Sequence, residues 1–303
     1  MQPRLEGFAS ALLGSLDEAR RTRAAAELTS LEQTILARSD LRAVLADTSL
    51  SGVIRGQVLG ELLAAKVEPA TVRLGVYAAA HVPAQEVTHA LAELAVLART
   101  WVETGTLELP GLALLAARER VSGFADALLE DTPTEDFARV ESELFTWART
   151  IEAHESLRRL LLDRDSALEA RLGVTDQLLD GRVSPVALAL ARFVVEGGRP
   201  RDLVGTLDFL VDFVARARDW RVARVHSARA LDETSRAQLA ASLGTLTGHP
   251  VELLVVDDAS LLGGVLVEVG DLRLDASTRG RLGELHDKLV QGRSYESVLT
   301  ATE

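Results

Sequence analysis

The sequence predicts a mainly α-helical protein, two tandem helical bundles followed by a small α/β domain, and three observations lead there. The chain is 47% hydrophobic yet only 4% aromatic, with Ala, Leu, Val, Arg and Glu dominant, which is the usage of helices packed through aliphatic ridges. A ten-residue segment returns: RLEGFASALL at 4–13 reappears as RVSGFADALL at 120–129, so that Phe124 minus Phe8 gives an offset of 116. Beyond residue 220 the helical spacing gives way to short β-prone runs. A length of 303 residues, at about 100 to 200 per domain, leaves room for two or three domains.

The same offset, without a gap, carries Glu27–Leu28 onto Glu143–Leu144, Thr34–Ile35 onto Thr150–Ile151, Leu41–Arg42 onto Leu157–Arg158 and Asp47 onto Asp163. It continues through Arg55 and Arg171, Leu62–Leu63 and Leu178–Leu179, Val67 and Val183, and Pro69 and Pro185. The chain therefore reads as two copies of one helical bundle, at 1–110 and 112–220. Val87, Leu91, Leu94 and Ala98 follow i, i+4, i+7, i+11, and their images Leu203, Leu207, Leu210 and Val214 do the same, so each copy closes on a long amphipathic helix. Pro69 and Pro185 suit the first turn of a helix, where an amide hydrogen would find no partner, and Ser184 is placed to cap the second of these. Breaks at Gly14, Ser39, Asp47, Pro69 and Pro83 divide each copy into about five or six helices.

Residues 221–292 read as the α/β domain. Val222 to Val225 and Val251 to Val256 are runs of strand length, with a helix between them carrying Leu239, Leu243 and Leu246. Val265, Val267 and Val269 alternate with Leu266 and Glu268, and Gly270–Asp271 offers a hairpin turn into Leu272 and Leu274. Ser277 then caps a final helix with Leu282, Leu285 and Leu289, and 293–303 is a polar tail.

Charge and motif content exclude most chemistry. A net charge of −12 argues against a sequence-independent grip on nucleic acid or an anionic membrane, and no apolar stretch reaches the about 18 residues of a membrane span. The N-terminal segment, with Glu6 and Asp17 around a short amphipathic run, lacks the apolar core of a signal peptide and is expected to stay in the mature protein. Without cysteine there is no disulfide, thiolate zinc site or thiol nucleophile. His154–Glu155 begins like a zinc-protease helix, but Arg158 stands where the second imidazole belongs. Asp163 and Asp165 open like a calcium loop, but Ala167 takes the place of the third ligand. Gly263–Gly264, within a strand pattern, reads as a bulge or close backbone approach rather than an anion cradle, and adjacent Asp257 and Asp258 point to opposite faces of a strand end.

The run from Val256 through Asp257, Leu261, Gly263, Gly264 and on to Gly270, continued by Asp275, Ser277 and Arg281–Leu282, closely resembles the C-terminal signature of ATP synthase delta subunits, which are homologous to the oligomycin-sensitivity-conferring protein. His226-Ser227-Ala228 resembles the strand before that signature, and Gly7-Phe8-Ala9 and Gly123-Phe124-Ala125 stand where the family's first bundle helix begins. Two bundles instead of one resemble the longer, actinobacterial type. The resemblance implies a structural subunit with no active site and no cofactor, peripheral at the cytoplasmic face of the cell membrane. It implies that a helical bundle binds the N-terminal helices of the alpha subunits on the alpha/beta head, and that the α/β domain contacts the C-terminus of the stalk b subunit. Two other classes compete: a helical-repeat scaffold or regulatory adaptor, told apart by its partners, and an enzyme built around Asp257, Gly263 and Gly264, which would need a pocket of convergent polar groups.

Overall fold

The computed structural model describes residues 1–105, 107, 109, 112–163, 165–197, 202–218, 221–229, 231–247, 251–258, 261, 263–269, 272–275 and 277. The chain divides into two compact units, Met1–Val211 and Asp212–Glu303.

The helices are α1 (Pro3–Gly14), α2 (Glu18–Ala37), α3 (Ser39–Ala46), α4 (Gly52–Leu63), α5 (Pro69–His81) and α6 (Val87–Thr104), then α7 (Leu114–Glu130), α8 (Phe137–Ala153), α9 (Glu155–Leu162), α10 (Leu168–Leu179), α11 (Pro185–Gly197) and α12 (Leu203–Ala217). The two sixes match element for element. Both ends of α3, α4 and α5 recur in α9, α10 and α11 at an offset of 116. The predicted starts and stops fall where the chemistry puts them: Pro69 and Pro185 open α5 and α11, and Ser184 Oγ accepts from the Ala187 amide at 3.3 Å. Asp17 caps α2 through the Arg20 amide at 2.8 Å. Val87, Leu91, Leu94 and Ala98 on α6 and Leu203, Leu207, Leu210 and Val214 on α12 are all buried, so the sequence stripe is the core-facing stripe in both copies.

One polar device is repeated as well. Glu27 on α2 accepts from the Glu68 amide at 2.7 Å and the Thr71 hydroxyl at 2.8 Å, pinning the start of α5. Its image Glu143 on α8 accepts from the Ser184 amide at 2.8 Å and the Ser184 hydroxyl at 2.6 Å, pinning the start of α11. Burial pushes both carboxyls up, but these hydrogen bonds, with Arg23 and Arg139 adding theirs, outweigh it and hold both groups below the ordinary glutamate value of 4.5. A depressed carboxyl stabilises the fold fully above its unfolded pKa, and the contribution is lost as pH falls through the folded value. Urea unfolding between about pH 3 and 6 should therefore show stability dropping below pH 4.5, and a Glu27→Gln, Glu143→Gln double variant should show a flatter acid limb. An identical acid limb in the variant would contradict this assignment.

The second unit contains β1 (Arg221–Ser227), α13 (Glu233–Thr247), β2 (Val251–Asp257), β3 (Val265–Val269) and β4 (Leu272–Asp275). The sheet order is β2-β1-β3-β4, with β1 parallel to β2 across α13 and antiparallel to β3, and β3 antiparallel to β4. Val225 lies between Val255 on one side and Val267 on the other, and Ala223, Val225, Val267 and Val269 pack with Leu243 of α13 into the unit's core. The period-two alternation of valines thus marks one buried face. Arg224, on the alternate parity, reaches Asp212 at 3.3 Å instead. Asp232 caps α13 by accepting from the Ser235 amide at 2.7 Å. The expected turn at Gly270–Asp271 and the helix carrying Leu282, Leu285 and Leu289 lie outside the described residues.

Candidate functional site

Residues 1–211 form one compact unit because the two copies meet along α1 and α7. The reason is a pair of glycines. A Cβ on Gly7 would lie 1.8 Å from the Arg120 carbonyl oxygen, and a Cβ on Gly123 would lie 1.8 Å from the Arg4 carbonyl oxygen. Gly7 and Gly123 are images of one another, as are Arg4 and Arg120, so the crossing is reciprocal in the way of an isologous dimer contact. Only glycine allows the two backbones this close. Beside the crossing, Arg120 Nε donates to Glu6 Oε2 at 2.7 Å; Arg120 is 1% exposed and Glu6 9%.

The reciprocal seam has two halves with different side chains. In the first half, Tyr77 of α5 stacks on Phe8 with ring centroids 3.7 Å apart, and the Tyr77 hydroxyl donates to the Asp126 carboxylate on α7. Arg4 donates to the same carboxylate at 2.8 Å and 3.1 Å. Burial, reinforced by Asp126, drives the Tyr77 phenol well above its ordinary pKa of 10.0. Arg73 of α5 closes this half, donating to Glu130 at 2.7 Å, Asp131 at 2.8 Å and the Ala127 carbonyl at 3.0 Å, and so capping the last turn of α7.

In the second half the repeat places Ala189 for Arg73, Phe193 for Tyr77, Ser10 for Asp126, and Gly14 and Ser15 for Glu130 and Asp131. The ring stack survives as Phe124 on Phe193, centroids 3.8 Å apart, but the Arg73 and Tyr77 clasps have no counterpart, and Arg120, the image of Arg4, instead pairs with Glu6 and donates to the Gly197 carbonyl at 3.4 Å. What remains is a groove of about 600 Å³ walled by Ser10, Gly14 and Ser15 at the end of α1, Phe124 and Leu128 of α7 and Phe193 of α11, with Trp101 and Leu168 at its sides. Gly52, the image of Leu168, would place a Cβ 2.0 Å from the Ala80 carbonyl oxygen, so α4 lies hard against α5. Leucine at 168 and glutamate at 196, in place of Gly52 and Ala80, both line the groove. Burial raises the Glu196 carboxyl above its ordinary range, opposed by Arg192, which gives its own hydrogen bonds to Asp176 at 2.9 Å.

The signature residues expected to matter lie in the second unit. Asp257 ends β2, and Leu261, partly buried, donates its amide to the Asp258 carbonyl at 3.2 Å. Gly263 and Gly264 form a bend ahead of β3 instead of a bulge within it, because Gly264 adopts a φ of +79°, which ends strand geometry there. Asp275 ends β4 and accepts from the Ser277 amide at 2.9 Å, with Ser277 buried. Gly270 lies outside the described residues. Gly264→Val should destabilise this unit by about 2 kcal/mol, since a β-branched residue is least tolerant of positive φ, with a lower melting temperature as the readout. Unchanged melting would sink that claim.

The acidic residues of the calcium-like run have a local task. Asp163 accepts from the Asp165 amide at 3.0 Å and the Ser166 hydroxyl at 2.7 Å, and its image Asp47 does the same with Ser49. The groove residues were not singled out from sequence, although the differences that make the groove are visible when the copies are compared position by position.

A family model described as ATP synthase delta (OSCP) subunit matches residues 121–289, which span the second helical copy and most of the α/β part. The ATP synthase subunit delta of Nocardia farcinica is 33% identical over 286 residues, covering 94% of this chain and 95% of that one. The corresponding protein of Kineococcus radiotolerans is 32% identical over 250 residues, covering 82% and 81%. A solved structure of the Toxoplasma gondii mitochondrial ATP synthase hexamer includes a chain that aligns with 57% of this one at 19% identity and a TM-score of 0.41. On the extent of these matches, the chain belongs to the ATP synthase delta (OSCP) subunit family.

Proposed function

We propose that this chain is a non-catalytic stator subunit of an F-type ATP synthase, joining the catalytic alpha/beta head to the b subunit of the peripheral stalk so that rotary, proton-driven ATP synthesis can proceed. Family membership over nearly the whole chain carries this reading, and the apolar groove between α1, α7 and α11 supports it. Across that groove, Ser10, Gly14 and Ser15 at the end of α1 face Phe124 and Leu128 of α7 and Phe193 of α11. A partner's amphipathic helix laid into an aromatic and aliphatic groove is a recurrent recognition mode. The occupant we propose is an N-terminal helix of the alpha subunit, with a basic residue opposite Glu196. The α/β part would engage the C-terminus of the b subunit.

A stator resists torque, which asks for stiff units and sizeable interfaces rather than reactive groups. Reciprocal glycine crossings and buried ion pairs suit that requirement. No helix among the described residues is long and apolar enough to cross a membrane, and the proposed position is peripheral, at the cytoplasmic face of the cell membrane, held there by the complex. Membrane vesicles from cells depleted of this chain test the reading. They should lose ATP-driven proton pumping while the released heads keep their ATPase activity, and full pumping after depletion would contradict it.

A further inference from the structure

We propose that the first helical copy holds a binding site for a single-chain amphiphile with a carboxylate head, in a second groove between α2, α3 and α4. This groove encloses about 610 Å³, within the range of about 300 to 1,000 Å³ usual for small-molecule sites. Leu31 of α2, Leu41 and Val44 of α3, and Val58, Leu59 and Leu62 of α4 give it an apolar wall. Its charged lining groups are Glu27, Arg38, Asp40 and Lys66.

Glycine opens this space. α4 packs chiefly on α5, where a Cβ at Gly52 would lie 2.0 Å from the Ala80 carbonyl oxygen and one at Gly56 would lie 3.2 Å from that of Val76. Drawn onto α5 in this way, α4 leaves the space toward α2 and α3 unfilled. In the second copy the images of Gly52, Gly56 and Gly60 are Leu168, Leu172 and Asp176, which all carry side chains, and the image of Leu31 is the larger, buried Trp147. The features that make the groove thus belong to the first copy and not to the fold that the two copies share.

Three of the four charged groups are already engaged. Glu27 accepts from the Glu68 amide and the Thr71 hydroxyl, and Arg38 donates to Asp40 at 2.6 Å. Lys66 differs: it is exposed, its ammonium donates to the Leu62 carbonyl at 2.8 Å, and it pairs with no carboxylate among the described residues. An unneutralised ammonium beside an apolar groove complements a ligand whose anionic head meets the lysine while its alkyl tail displaces water from the leucines and valines.

Calorimetric titration of the full chain with decanoate and dodecanoate, each kept below its critical micelle concentration, tests the site. One dodecanoate per chain is expected, with decanoate about fifteenfold weaker, because each methylene taken out of water is worth about fourfold. Lys66→Gln should weaken dodecanoate several-fold. Leu62→Asp, at a side chain already 42% exposed, should abolish binding while the helical circular dichroism stays unchanged. Leu178→Asp, the image on the second copy, should leave binding as it was. Equally tight binding of dodecyltrimethylammonium, undiminished dodecanoate binding by Leu62→Asp, loss of binding in Leu178→Asp, or no saturable binding would each overturn the proposal.

Discussion

Gly7→Ala is expected to destabilise the helical unit by about 3 kcal/mol, the upper end of what overpacking a close-packed site costs. The added Cβ would sit 1.8 Å from the Arg120 carbonyl oxygen, a backbone atom that no rotamer change can move aside. Relief requires α1 and α7 to separate, which pulls apart the Arg4–Asp126 and Arg120–Glu6 ion pairs that span the crossing. Gly173→Ala supplies the internal control. Gly173 lies within α10 with nothing near its would-be Cβ, so alanine there should stabilise by about 0.5 to 1 kcal/mol through helix propensity. Thermal melting of the two variants should move in opposite directions, and a neutral Gly7→Ala would mean that the crossing is looser than described.

Arg120→Ala should cost about 3 to 5 kcal/mol, because it leaves Glu6 in the seam without its buried cation. The penalty belongs chiefly to the orphaned charge, so replacing both members by apolar residues, Glu6→Leu with Arg120→Met, should recover much of it. Urea denaturation of the single and double variants measures this directly. A double variant no more stable than Arg120→Ala would show that the arginine matters for something other than its pairing with Glu6.

The fold was legible where the determinants are local or periodic. Pro69 and Pro185 mark helix starts by what proline lacks, Ser184 by what its hydroxyl accepts, and the α6 and α12 stripes by their spacing alone. The valines of β3 announced a strand with one buried face by their alternation. The seam was not legible in the same way. A repeat aligns Gly7 with Gly123 along the chain, but nothing in an alignment says that aligned positions touch in space, and that contact joins residues 116 apart in sequence. The groove is subtler still, since Gly52 against Leu168 or Arg73 against Ala189 look like ordinary drift until both are placed on one seam. Gly263–Gly264 misled in register for a related reason: glycine tolerates both a bulge and a bend, and the positive φ of Gly264 selects the bend.

Affinity capture of the tagged full chain from gently solubilised membranes of its own source, with identification of every co-purifying protein, addresses the central claim most directly. The stator reading predicts recovery of the alpha, beta and b subunits in fixed proportion. Recovery of unrelated soluble proteins, with no ATP synthase subunit enriched, would contradict it.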